Sequence, residues 1–255
     1  MMLLVDAGNT RVKWALANAG SALGAWRCHG AVLHAQLDDA AARWSAAGVT
    51  RALVSNVAGP QLAARIAALL PAGIEVEWFS STLERAGLRN GYREPGRLGC
   101  DRFAAAIGAR ALAPGQDLIV ATCGTATTVD AVRADGLAGG LFIGGMILPG
   151  LMLMASSLAR NTAQLPQVAH GEALPPLFGD NTDDAIVSGC LSAQAGAIER
   201  ALAGLGAQAC IVSGGAAPYI APALKVPCLA VDNIVLVGLQ VAATCNQAAK
   251  GEPAC

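Results

Sequence analysis

Leu3-Leu4-Val5-Asp6-Ala7-Gly8-Asn9-Thr10, close to the start of the chain, and Leu118-Ile119-Val120-Ala121-Thr122-Cys123-Gly124-Thr125-Ala126-Thr127-Thr128, near its middle, are two versions of one local pattern. In each, an apolar strand runs into a turn of glycine and hydroxyl residues. Glycine lets the backbone approach a ligand closely, and consecutive N–H groups with short hydroxyls supply the donors that a phosphate chain needs. Two such turns, one in each half of the chain, could hold one nucleotide between two lobes.

Outward from these turns, the same order of elements is expected twice. Strands are predicted at 2–6, 12–17 and 23–30, with turns at Asn9-Thr10 and Ala19-Gly20-Ser21. A helix near 35–47, a strand at 51–55, a helix at 60–70, a strand at 74–79 and a helix at 101–113 follow. The pattern restarts after Pro114-Gly115, with strands at 117–122, 126–132 and 137–144 and a helix after Pro149-Gly150. A helix at 183–204, a strand at 209–213, a short helix near 217–223, a strand at 227–231 and a helix at 233–247 complete the chain. The fold class is therefore α/β, as two lobes covering 1–115 and 116–255, each a mixed sheet covered by helices.

Composition bounds the function. The 255 residues suffice for two modest domains, and 17 Lys plus Arg against 18 Asp plus Glu give a formal charge of −1. No basic field for nucleic acid or anionic lipid exists in such a chain. Cys28, Cys100, Cys123, Cys190, Cys210, Cys228, Cys245 and Cys255 fall in apolar runs at irregular spacing, without a C-x-x-C pair. They read as reduced, mostly buried small side chains of a cytoplasmic protein. His29, His34 and His170 do not cluster with them at zinc-ligand spacing. The uncharged run 137–159 has the length of a membrane span, but Gly139-Gly140, Gly144-Gly145 and Pro149-Gly150 cut it into pieces of strand length. Neither a membrane span nor a signal peptide is expected. The small and polar tail 247–255 reads as a loosely held end.

Asp6 ends an apolar strand, where a carboxylate could hold Mg²⁺ directly or through water, or could simply cap the turn. Lys13 could reach a phosphate from the first hairpin, or be solvated surface. In Asn90-Gly91-Tyr92-Arg93-Glu94-Pro95-Gly96-Arg97-Leu98-Gly99-Cys100-Asp101-Arg102, Gly99 closes a loop and Asp101 and Arg102 stand at a helix start. A carboxylate there is favourable on dipole grounds alone. It is equally placed as a general base toward a hydroxyl that attacks a γ-phosphate, with Arg102 pairing with substrate or developing charge.

The repeated order of three strands followed by alternating helices and strands resembles the duplicated ribonuclease-H-like fold, βββαβαβα in each lobe, of the acetate and sugar kinase, Hsp70 and actin superfamily. That resemblance implies ATP in a cleft between the lobes. At a finer level the chain resembles the type III pantothenate kinases, a family that also includes proteins named Bvg accessory factor. The residues that carry this are Asp6 to Thr10 with Lys13; Tyr-x-x-Pro-x-x-Leu-Gly-x-Asp-Arg from Tyr92 to Arg102; Gly124 to Asp130; and Gly139 to Gly150. Thr162 to Pro166, Asn181-Thr182 with Ala185-Ile186, and Ser213-Gly214-Gly215 follow in the family's order.

The resemblance implies phosphorylation of pantothenate by ATP with Mg²⁺, giving 4'-phosphopantothenate in the first step of coenzyme A biosynthesis, with Asp101 as general base. It assigns the ATP phosphates to Asp6, Ala7, Gly8, Asn9, Thr10, Arg11, Val12, Lys13 and Thr125, and the adenosine to Gly214 and Gly215. Pantothenate falls to Tyr92, Gly99, Cys100, Asp101, Arg102 and Thr182. A homodimer is implied, with the 139–154 segment partly in its interface. The family's monovalent cation, NH₄⁺ or K⁺, usually has an aspartate ligand where this chain has Thr122, so a K⁺ site is expected to be absent or altered. Alternatives are a related small-molecule kinase, a nucleotide-binding accessory-factor regulator without kinase activity, and an ATPase that drives domain movement.

Overall fold

The computed structural model describes residues 1–18, 20–136, 139–168 and 174–249. In chain order it forms β1 (Met2–Ala7), β2 (Arg11–Ala17), β3 (Cys28–Leu33), α1 (Leu37–Ala46), β4 (Arg51–Asn56), α2 (Pro60–Leu69), β5 (Glu75–Trp78), β6 (Glu84–Arg85), β7 (Leu88–Asn90) and α3 (Cys100–Leu112). Then come β8 (Leu118–Cys123), β9 (Ala126–Asp135), β10 (Gly139–Pro149), α4 (Leu151–Asn161), α5 (Thr182–Leu205), β11 (Ala209–Ser213), α6 (Ala217–Ile220), β12 (Leu229–Ala230) and α7 (Ile234–Ala249). Single turns of 3-10 helix occupy His34–Gln36, Pro95–Arg97 and Ala221–Ala223. Two compact units result. The first gathers Met1–Gly115, Asp135–Phe142 and Asn233–Cys255, and the second Gln116–Ala134 and Ile143–Asp232. The chain's last helix, α7, is thus grouped with the first unit.

The first unit is built on a sheet ordered β3-β2-β1-β4-β5. β1 runs antiparallel to β2, with Asp6 opposite Lys13, and parallel to β4, with Asp6 beside Ser55. Because strand side chains alternate, Leu3, Val5 and Ala7 enter one core with Trp14, Leu37, Trp44, Leu62 and Ile66 under α1 and α2. The rings of Trp14 and Trp44 meet edge to face at 6.4 Å. Leu4 and Asp6 therefore lie on the opposite face, where α7 packs on β1, β2 and β4, and α3 packs on β4 and on α7. Gly140, Leu141 and Phe142 of β10 pair with β7 in this unit.

In the second unit β8 repeats the role of β1, antiparallel to β9 and parallel to β11, which in turn pairs with β12. Ile119, Ala121 and Cys123 of β8 join Val129, Cys210 and Val212 beneath Leu151, Ile186, Leu191 and Ile198 of α4 and α5. The hairpin-then-parallel-strand arrangement thus occurs twice, as the repeated sequence pattern led one to expect.

Several elements depart from expectation. The third strand is Cys28–Leu33, not 23–30. Residues 21–26 are instead clasped by α7: Gln240 Oε1 accepts from Gly24 N at 3.1 Å and from Trp26 Nε1 at 2.9 Å, while its Nε2 donates to Ser21 O and Ala22 O. Their backbone polar groups are thus satisfied by a distant helix instead of by a neighbouring strand. The β6–β7 hairpin was not anticipated, because its two-residue turn is Ala86-Gly87, with φ of 51° and 76°. Alanine is an unusual occupant of that left-handed position. β10 continues to Pro149, past Gly144, whose φ of 153° carries the strand through the glycine pair expected to end it. The beginning of that expected strand at 137 and 138, the turn residue Ala19, His170, and the tail from 250 with Cys255 lie outside the described residues. Among the described residues no helix is long and apolar enough to cross a membrane.

Candidate active site

β1 delivers Asp6 to the threshold of the first turn, where the side chain is only 8% exposed. Burial pushes its pKa from the usual 3.8 up to about 7; the neighbouring Lys13 charge opposes this and the Asp101 charge adds to it. A carboxylate with so little compensation is a ready ligand for a cation. The turn closes with Gly8 N–H donating to Arg11 O at 3.1 Å, and Asn9, Thr10 and Arg11 are exposed at its tip. The Val12 side chain is buried in the core under α1 and α2.

The start of α3 brings the second group together. Gly99 is the N-cap, Cys100 and Asp101 form the first turn, and Asp101 Oδ1 accepts from the Arg102 N–H at 2.8 Å. A β-carbon at position 99 would stand 2.8 Å from that oxygen, so a side chain there would crowd the Asp101 carboxylate. Burial raises the Asp101 pKa, against the Arg102 N–H and the Arg102 charge. Arg102 is buried; its Nη1 donates to Tyr92 Oη at 2.9 Å, and its guanidinium lies 5.7 Å from the Tyr92 ring and 5.8 Å from the Phe142 ring. Tyr92 meets Phe142 edge to face at 5.8 Å, and its N–H donates to Asn90 Oδ1. The Cys100 thiol lies 3.3 Å from Ser55 Oγ, and burial raises its pKa, so it stays protonated.

The structure therefore assembles Asp6, Lys13, Tyr92, Gly99, Cys100, Asp101 and Arg102 within the first unit. Sequence reasoning missed Ser55, Phe142 and His34 there. Ser55 had a findable signal, since it ends an apolar strand that pairs with β1. Phe142 lay in an apolar run without distinguishing chemistry.

Thr125, Gly214, Gly215 and Thr182 belong to the second unit. Thr125 is exposed at the β8–β9 turn, and its carbonyl accepts from Gly150 N–H at 3.0 Å. Gly214, at φ 101°, lies against the Cys123 backbone, so the end of β11 and the β8 turn meet without room for a side chain. Thr122 stands between Ser213 and Thr128 in register, and the hydroxyls of Thr122 and Thr128 are buried without hydrogen-bond partners. Thr182 opens α5 behind the Asn181 cap and lines an apolar groove of about 700 Å³ with Leu153, Met154, Leu158 and Ile186. Among the described residues no group of three or more His, Cys, Asp or Glu side chains could by itself hold a metal ion.

A family model described as type III pantothenate kinase matches residues 2–203. Proteins named type III pantothenate kinase from Herminiimonas arsenicoxydans and Janthinobacterium sp. (strain Marseille) are each 54% identical to this chain, covering 95% of it and 97% of their own lengths. Another from Aromatoleum aromaticum is 47% identical, covering 98% of this chain and all of that protein (100%). Among solved structures, a conserved Baf-family protein from Campylobacter jejuni superimposes with a TM-score of 0.62 at 17% identity, over 96% of this chain and 99% of that one. A Sinorhizobium meliloti protein described as a 2-dehydro-3-deoxygalactonokinase gives 0.58 at 17%, over the same shares. At these identities the two structures speak for the fold.

Proposed function

The chain belongs to the type III pantothenate kinase family, and we propose that Asp101 is the base that starts its reaction. That reaction is the phosphorylation of pantothenate by ATP, which yields 4'-phosphopantothenate and opens coenzyme A synthesis. Asp101 takes the proton of the primary hydroxyl as that oxygen bonds to the γ-phosphorus; the bond from this phosphorus to the bridging oxygen breaks, and ADP leaves. The observation that carries this reading is the pairing of a raised-pKa Asp101 with Arg102, whose guanidinium is fixed on Tyr92. The base and a charge-stabilising group are thereby held in place before substrate arrives.

We assign the phosphates of ATP to the Asp6–Lys13 turn and to Thr125, and adenosine to Gly214 and Gly215. Tyr92, Gly99, Cys100, Arg102 and Thr182 are assigned to pantothenate. Asp6 fits Mg²⁺, which commonly keeps several waters and binds through one or two carboxylates plus substrate phosphates. When bound, Mg²⁺ offsets the charge of the phosphates; Asp6 orients it from β1. Thr122 and Thr128 offer neutral, unpartnered oxygens in place of a carboxylate, which suits a weakly held ammonium better than a tight potassium site. We read the protein as a cytoplasmic homodimer. The free thiols of the seven described cysteines support a reducing compartment, and exposed Ile147, Met152, Leu153 and Leu158 support an apolar interface.

The test is phosphate transfer from Mg·ATP to pantothenate in ammonium, potassium or neither, with the product identified by mass. Asp101→Asn is expected to lower kcat by about a hundredfold or more while ATP still binds. Undiminished kcat in that variant would remove Asp101 from the base role, and a steep dependence on K⁺ would contradict the reading of Thr122.

A further inference from the structure

The carbonyl of Gly8, in the first phosphate turn, accepts a hydrogen bond from His34 Nε2 at 2.8 Å. A carbonyl oxygen can only accept, so that ring nitrogen carries the hydrogen. The sheet puts the imidazole there: Leu33 pairs with Arg11 at the end of β3, and the next residue leaves the strand beside the hairpin turn. The backbone of His34 is anchored from behind. Arg65 of α2 donates through Nη1 to His34 O at 2.6 Å, and its Nη2 forms an ion pair with Asp38 of α1. Two helices thus brace one side chain against one peptide of the turn.

Because a peptide unit is planar and trans, the C=O of Gly8 and the N–H of Asn9 point in opposite directions. Fixing the carbonyl on His34 turns the Asn9 N–H away from the imidazole. We propose that His34 is a positioning residue that locks the Gly8–Asn9 peptide so that the Asn9 N–H is presented to an ATP phosphate. The proposal rests on the assignment of this turn to the phosphates and adds what orients it. Without the imidazole the peptide can rotate, a motion made easy by glycine at position 8, and it then offers a carbonyl oxygen to an anion. His34 itself touches no substrate.

The pair His34→Gln and His34→Met separates donor chemistry from packing, since both side chains are long and flexible and only Gln donates. Steady-state kinetics are measured for both variants beside wild type, with melting temperatures as a control. Loss of one hydrogen bond to a charged phosphate predicts an ATP KM raised about tenfold or more in His34→Met. His34→Gln should stay within about twofold of wild type, as should kcat and the pantothenate KM of both variants. Equal ATP KM values for His34→Met and wild type, or equal losses in the two variants, would overturn the proposal. If His34→Met does not fold, Arg65→Met loosens the same imidazole without replacing it, and an unchanged ATP KM there counts equally against the idea. Wild-type protein that forms no phosphopantothenate would overturn the kinase reading and the proposal with it, so the two failures are distinguishable.

Discussion

Asp6, with its pKa pushed up to about 7 by burial, titrates near neutral pH instead of in the usual carboxylate range. The folded carboxylate binds its proton more tightly than the unfolded one, whose pKa is 3.8. Between about pH 4 and about 7 the native state therefore holds a proton that the unfolded chain has lost, and stability falls as pH rises through that window, then levels off. Asp6→Asn abolishes this component. Its melting temperature should gain on wild type between pH 4.5 and pH 8, and parallel curves for the two proteins would refute the burial argument. The same substitution should weaken Mg²⁺-dependent turnover, so here a gain in stability accompanies a loss of function. At this scale the sequence was legible wherever chemistry was written into short spacing. Gly99, Asp101 and Arg102 are neighbours, and their roles at a helix start follow from position alone. His34 was not legible, because its link to Gly8 spans 26 residues and depends on the register of β2 with β3.

At the scale of elements, α3 and α7 pack backbone against backbone. Gly108 and Gly238 face one another; a β-carbon at 238 would overlap the Ala104 carbonyl, and one at 108 would stand 2.7 Å from the Gly238 nitrogen. No side chain can move aside there, since the obstacles are backbone. Gly238→Ala should therefore cost about 3 kcal/mol of stability, read as a lowered denaturation midpoint with unchanged slope. A neutral outcome would mean that the helices separate at little expense. Because α3 also presents Asp101 and Arg102, the surviving folded protein should lose kcat as well. Strong strands and helices were readable from period and punctuation, as β1, β4, α2 and α3 attest. What failed were elements decided by distant partners. The 21–26 segment is held by Gln240 of α7 instead of by strand pairing, and β6–β7 form a hairpin on an Ala-Gly turn that local rules do not favour.

On the scale of the whole molecule, a formal charge of −1 leaves little electrostatic drive toward nucleic acid, while Ile147, 65% exposed, and Met152, 46% exposed, mark an apolar face on the second unit. If that face joins two copies, light scattering should give twice the chain mass of 25.6 kDa, and Met152→Glu should shift the protein toward monomer. A monomeric wild type at micromolar concentration would dismiss the interface. The duplication itself was visible in sequence because each half opens with its own strand and glycine turn. The grouping of α7 with the first unit was not, since nothing local in 234–249 names α3, β1 and β4 as its neighbours. That grouping bears on how the protein is made. A ribosome releases residues 1–115 early, yet on one face of their sheet α3 covers only β4, and the cover over β1 and β2 comes with α7. The nascent first unit must wait, its apolar surface exposed, while the entire second unit is synthesised and is free to fold ahead of it. A chain cut short before α7 would therefore lose more than one helix, because the first unit would be left with an open apolar face.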